Sequence, residues 1–325
     1  MNRLQSLGAV IAAALVLSAC STGGGDTKAE APDSADPLTI NVAETAGIPS
    51  AFLAYGVQQG FFEDEGLDLV VDTGAGGAAA IPGVISGTTE LAGSNIVSVV
   101  LAKSKGLPVQ IVAPGTFGSD TIDNAWSAIL VREDSPIQEP ADLAGKTIAV
   151  NTLQNIGDVT IKSSLEQLGV DVSGIQFIEL GFPDMLAALS NKNVDAVWEI
   201  EPFLTSGLAS GDRAVLWPYV QAQSGLMIGS FVASDDYVAE NPKVIEAFQR
   251  GINSTVESVT SDPDAFRAAL TSLAKIPEAS AQAMHLPTWK TSVDLESLKF
   301  VEEHMDTYGI ISTRVDVSTL LATTK

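Results

Sequence analysis

Glu199 and Glu201 form the carboxylate pair that stands out in this chain. Two residues apart in an extended segment, with Pro202 keeping Glu201 out of a helical conformation, they are expected to point the same way. Such a pair could accept hydrogen bonds from an amine or an amino-heterocycle, with Trp198 beside it as a stacking surface. It could also act as a glycosidase-like acid and base, but that chemistry needs carboxylates flanking the scissile bond, and neighbours on one strand edge lie on one side of it. A third use is structural: Glu201 caps the helix that follows. Other reactive residue types are few. His285 and His304 belong to no ligand spacing such as H-E-x-x-H, no G-x-S-x-G elbow is present, and the one cysteine, Cys20, lies near the amino terminus. No catalytic residue, metal or cofactor is therefore expected.

The elements that must position these residues repeat. Ala141 to Lys146 reads as a turn, Thr147 to Val150 as a buried strand, and Asn151 to Asn155 as capping residues before a helix with Ile156, Val159, Ile161, Leu165 and Leu168 on one face. Gln176 to Leu180 is a second strand, Pro183 and Asp184 open a second helix, and Val194 to Trp198 is a third strand. Strand, helix, strand, helix, strand implies right-handed crossovers and a parallel sheet, with ligands at the carboxyl ends of its strands. The first third of the chain follows the same scheme: strands at Leu38 to Ala43, Leu69 to Asp72 and Thr89 to Asn95 alternate with helices.

The loops at those strand ends supply the candidate ligand contacts: Thr45, Ala46 and Phe52; Gly74, Ala75 and Gly76; Ser94 and Asn95; Thr152 and Asn155; Trp198, Glu199 and Glu201. Gly74 to Gly77 opens a helix, where free N–H groups and the helix dipole favour anionic or strongly accepting atoms. Gly74-x-Gly76-x-x-Ala79 loosely fits a dinucleotide fingerprint but lacks a second strand ending in an acidic ribose ligand. Ligand polarity stays open at this point. The helix starts suit an anion, the two glutamates suit an amine, and no Lys or Arg falls in these loops.

The run ADLAGKTIAVN (141–151), Phe182-Pro183-Asp184-Met185 and VDAVWEIEPF (194–203) resemble the second lobe of bacterial ABC-importer substrate-binding proteins. The branch in question takes up nitrate, taurine, aliphatic sulfonates or thiamine-type pyrimidines, and the resemblance runs from about Pro37 to the end. It implies an α/β, two-lobed, type II periplasmic-binding-protein fold, each lobe a mostly parallel sheet flanked by helices. Lobe I would take 38–125, lobe II 126–229, and a return crossing with carboxyl-terminal helices 230–325. Crossing strands at Trp126 to Val131 and Met227 to Ala233 would form the hinge. It further implies a small-molecule ligand such as a taurine-like zwitterion or an aminopyrimidine, a permease and ATPase as partners, and a monomer. The alternative on the same fold is an enzyme, such as a pyrimidine-precursor synthase or a hydrolase using Glu199 and Glu201.

The amino terminus reads as an export signal at 1–19. Arg3 provides the positive start, Gly8 to Leu17 is the apolar core, and Leu17-Ser18-Ala19-Cys20 resembles a lipobox, in which the cysteine is lipidated. Residues 20–37, rich in Gly, Ser, Ala, Asp and Pro, read as a flexible tether, so membrane attachment would be through the lipid alone. The net charge of -23 excludes phosphate-driven nucleic-acid binding and a polybasic membrane contact.

Overall fold

Alternation of burial explains the first strand. In Leu38–Thr45 (β1), Ile40, Val42 and Glu44 are buried while Thr39, Asn41 and Ala43 are more exposed, so one face of the strand packs inward. The computed structural model describes residues 37–74 and 76–322. The expected leader at 1–19, Cys20, the tether up to residue 36, and Ala75 lie outside the described residues.

After β1 come β2 (Leu67–Gly74), β3 (Leu91–Asn95), β4 (Val109–Pro114), β5 (Thr116–Phe117) and β6 (Ser127–Val131). Then follow β7 (Thr147–Val150), β8 (Gln176–Glu179), β9 (Ala196–Ile200), β10 (Arg213–Leu216), β11 (Gly229–Ser234) and β12 (Thr288–Trp289). The first sheet has the order β2-β1-β3-β11-β4, the second β10-β6-β9-β7-β8, and β5 pairs with β12 in a short ribbon. Parallel pairing joins β1 to β2 and β3, and β7 to β8 and β9. The antiparallel strands are the crossings: β11 runs between β3 and β4, and β6 beside β9. The chain thus leaves the first sheet after β4, builds all of the second, and returns as β11. This is an α/β architecture of two mixed sheets flanked by helices, as the resemblance implies.

Each sheet is covered by helices whose apolar faces match it. Phe248 and Ile252 of the helix Pro242–Ser261, and Phe266 and Leu270 of Pro263–Leu273, pack with Ile40, Val42 and Phe52 of the first lobe. On the outer face of the second sheet, Ala128, Leu130, Ala149 and Val197 meet Met185, Leu189 and Leu204. Among the described residues no helix is long and apolar enough to cross a membrane.

Two details differ from the sequence reading. The last strand of the repeat is Ala196–Ile200 rather than 194–198, because Asp195 is tied to Thr147 through its own N–H and its carboxylate and so belongs to the connection. Glu199 therefore sits inside a strand and Glu201 in the turn after it. The ribbon of β5 and β12 has no counterpart in the sequence reading, and it brings Trp289 back against the first lobe.

Candidate functional site

The carboxyl ends of both sets of parallel strands, together with the crossings, surround one cavity. It measures about 80 Å³, counted as space open to the centre of a water molecule, and so admits a small solute rather than a peptide or an oligosaccharide.

Aromatic side chains form its walls. From the second lobe and the first crossing come Trp126, Tyr219, Trp198 and Phe182, linked in a row: Trp126 to Tyr219 at 4.9 Å, Tyr219 to Trp198 at 5.6 Å, and Trp198 to Phe182 at 5.4 Å between centroids. Trp198 is fixed in this row by its Nε1, which donates to Ser127 Oγ at 2.7 Å, and by Gly157, where a Cβ would come within 2.8 Å of the indole. Opposite stand Phe52 and Trp289, stacked at 5.1 Å with their planes 10° apart, and Phe231. Such flat, rigid surfaces hold a ring-shaped solute with little loss of side-chain freedom.

The polar lining is sparse. Thr45, Ser94, Asn95, Thr116, Asn151 and Ser230 contribute uncharged groups, and Glu44 is the one acid. No Lys, Arg or His lines the cavity among the described residues. Glu44 follows Ile40 and Val42 on the inward face of β1, 7% exposed, and its Oε1 accepts from Thr45 N at 2.6 Å. Burial pushes its pKa from 4.5 up to about 7, offset in part by the Thr45 hydrogen bond. Asn151 Oδ1 and Trp289 Nε1, on two lining residues, are buried without a protein hydrogen-bond partner. Leaving such atoms unpaired costs about 1–3 kcal/mol each.

The structure brings six of the sequence-derived candidates to this cavity: Thr45, Phe52, Gly76, Ser94, Asn95 and Trp198. Gly76 and Asn151 mark where the rims of the two lobes approach, since a Cβ on Gly76 would lie 3.9 Å from Asn151 Nδ2 and from Thr45 Oγ1. The others stand elsewhere. Ala46 and Gly74 are exposed at the ends of β1 and β2, where Ala46 N bonds Gly74 O. Thr152 follows Asn151 in the loop, and Asn151 is the residue that reaches the cavity. Asn155 is buried as the cap of the helix Ile156–Gln167 and donates to Ser98 Oγ of the first lobe at 3.1 Å, so its polar atoms are already used.

Glu199 and Glu201 require a firmer correction: neither lines the cavity. On β9, Ala196, Trp198 and Ile200 face the cavity side while Val197 faces the outer core, and Glu199 follows Val197. It is completely buried, with no hydrogen-bond partner for either oxygen. Burial, reinforced by the charge of Asp212, raises its pKa to about 9. Glu201 accepts from Thr205 N (3.0 Å), Thr205 Oγ1 (2.9 Å) and His285 N (3.2 Å), and so caps the helix Phe203–Ala209 and ties it to the carboxyl-terminal segment. A hydrolytic pair built from these two acids has no support. Sequence reasoning passed over Glu44, although the inward row Ile40, Val42, Glu44 is visible as alternation. It also passed over Trp126, Tyr219 and Trp289, whose placement depends on contacts between distant segments. Among the described residues no cluster of three or more His, Cys, Asp or Glu could hold a metal ion.

A profile of the family described as NMT1/THI5 like matches residues 49–266. The formylaminopyrimidine-binding protein of Halalkalibacterium halodurans is 24% identical over 231 residues, which cover 66% of this chain and 63% of that protein. The 4-amino-5-hydroxymethyl-2-methylpyrimidine phosphate synthase of Schizosaccharomyces pombe is 22% identical over 219 residues, 63% of this chain and 60% of that one. The chain therefore spans less than two thirds of the length of each of these curated relatives. Among solved structures, the periplasmic aliphatic sulphonate binding protein SsuA of Escherichia coli matches with a TM-score of 0.72 at 19% identity, over 89% of this chain and 93% of that one, and shares the fold.

Proposed function

The chain belongs to the NMT1/THI5-like family, and from that premise we propose that it is the solute-binding protein of an ABC importer, capturing a small aminopyrimidine-like molecule between its lobes. The observation that carries this reading is the cavity itself: aromatic walls from both lobes, one acid, and no cationic side chain in the lining among the described residues. A bare sulfonate or nitrate calls for a positive partner, and Glu44 would oppose one. The helix starts at Asn95 and Asn155 do not supply it freely, since each asparagine side chain already accepts from its own helix, from Ser98 N and Ile156 N respectively. An uncharged amino-heterocycle meets stacking surfaces and scattered donors and acceptors instead, and the formylaminopyrimidine in the name of one curated relative has that character.

In this reading lobe I is 38–125, lobe II is 126–229, and 230–325 returns to lobe I. Ligand contacts on both lobes favour the closed arrangement in proportion to their differential affinity for it, and the closed monomer is what permease and ATPase receive. The body is held outside the cytoplasm by lipid on Cys20, with residues 20–37 as tether. The test is mass spectrometry of small molecules that co-purify, followed by thermal shifts with aminopyrimidines, taurine, alkanesulfonates and nitrate. At a hundredfold excess over Kd the true ligand stabilises by about 2.7 kcal/mol. Aminopyrimidines should do so with no change in their mass. Stabilisation by a sulfonate alone would overturn the ligand assignment, and conversion of the ligand would overturn the binding role.

A further inference from the structure

We propose that Glu44 is the residue that selects the ligand, and that what it selects is the edge of a planar nitrogen heterocycle where an amino group adjoins a ring nitrogen, with one proton shared across the pair. The inference rests on the solute-binding reading of the cavity and adds to it the chemical pattern that the site recognises.

The seat of Glu44 is built for a carboxyl group. On the neighbouring strand β3 stands Gly93, and a Cβ there would overlap both carboxyl oxygens, so the missing side chain is what leaves them room. Thr45 N–H holds Oε1, and the Thr45 side chain also favours the ionised carboxyl. No cation among the described residues balances the charge. Across the sheet Glu44 pairs with Thr73, whose neighbour Asp72 is exposed, and Glu90 is engaged by Asn41 N and Nδ2 lower on β1. In the cavity wall the other titratable group is the Tyr219 phenol, which burial keeps protonated. Burial is thus the dominant influence on Glu44, and with a pKa near 7 it is about half protonated at neutral pH.

A protonated carboxyl offers a donor and an acceptor side by side. An aminopyrimidine edge offers the complement, a ring-nitrogen acceptor beside an amino donor. The hydroxyl at Oε2 donates to the ring nitrogen, and the amino N–H donates to the remaining carboxyl lone pair, while the aromatic walls hold the ring in plane. Whether the shared proton rests on oxygen or on nitrogen, the complex contains one. Above pH 7 free Glu44 has lost that proton, so binding must recover it from solvent. An ammonium ligand would behave oppositely, gaining affinity as Glu44 ionises.

The test is calorimetric titration of the full chain with 4-amino-5-hydroxymethyl-2-methylpyrimidine between pH 6.5 and 9, in buffers of different ionisation enthalpy. Wild type should lose about tenfold in affinity per pH unit above about 7 and take up about one proton per ligand at pH 8.5. Glu44→Gln, whose amide presents donor and acceptor at every pH, should bind with a pH-independent affinity and take up no proton. Glu44→Ala should be weaker than Glu44→Gln by roughly ten- to a hundredfold. Probe binding with neither the alkaline loss nor proton uptake would overturn the role of Glu44 while leaving the solute-binding reading standing. Affinity that rises through pH 7 would replace the shared proton with an ion pair and overturn it too. If taurine or an alkanesulfonate binds and the pyrimidine does not, the selected pattern is wrong. If none of them binds, both readings fall.

Discussion

Glu199→Gln should make this protein more stable, and by an amount that grows with pH. The carboxyl of Glu199 is fully buried on the outer face of β9, neither oxygen has a partner, and Asp212 adds a like charge, so its pKa rises from 4.5 to about 9. The unfolded chain releases this proton near pH 4.5, whereas the folded chain keeps it until about pH 9. Over that interval the native state binds the extra proton, so stability falls as pH rises, by about 1.4 kcal/mol per pH unit. The stability is fully present below pH 4.5, and at that slope about 3 kcal/mol of it is gone by pH 7. Glutamine fills the same space and cannot ionise. It should match wild type near pH 4.5 and exceed it by about 3 kcal/mol at pH 7, which for a chain of this size raises Tm by roughly 4–5 °C. Thermal melts of both proteins from pH 4.5 to 8.5 measure this directly. A Tm difference that stays constant with pH, or a variant less stable than wild type at pH 8, would refute the reasoning. Ligand affinity should change less than about twofold, because Glu199 lies on the far side of the strand from the cavity.

Further expectations concern other residues placed by the structure. Glu201→Ala removes three accepted hydrogen bonds and frees the helix Phe203–Ala209, so denaturant unfolding should show a loss of about 2 kcal/mol. Gly93→Ala pushes the Glu44 carboxyl from its seat, so calorimetry should show roughly tenfold weaker pyrimidine binding. The carboxyl is the free end of a flexible side chain and can move aside, so melting should show a smaller effect on stability. Trp198→Phe keeps a wall but leaves buried Ser127 Oγ without its indole donor, costing about 1–2 kcal/mol in the same unfolding assay.

Much of the architecture was legible because local pattern and global fold agree. β-Branched runs bounded by turns became parallel strands, and Asn155 became a helix cap as its position suggested. Thr45, Gly76 and Ser94 reached the cavity because strand ends in such sheets face the crevice. The acids were misplaced for a reason the sequence already contained. Adjacent strand residues point to opposite faces, so Trp198 and Glu199 could not both border one ligand. A similar alternation, followed from Ile40 through Val42, would have found Glu44. The remaining walls were out of reach of local reading. Trp289 arrives through the ribbon of β5 and β12, and Tyr219 through packing against Trp126 and Trp198. Those placements depend on contacts between segments far apart in the chain, about which periodicity is silent.

Three of the four tryptophans, Trp126, Trp198 and Trp289, line the cavity, so their fluorescence reports its occupancy. Titration of the protein with 4-amino-5-hydroxymethyl-2-methylpyrimidine should give a saturable change in tryptophan emission, one equivalent at the end point, with the pyrimidine recovered chemically intact. An emission spectrum unmoved by any aminopyrimidine or sulfonate, or a pyrimidine recovered as a different compound, would contradict the account.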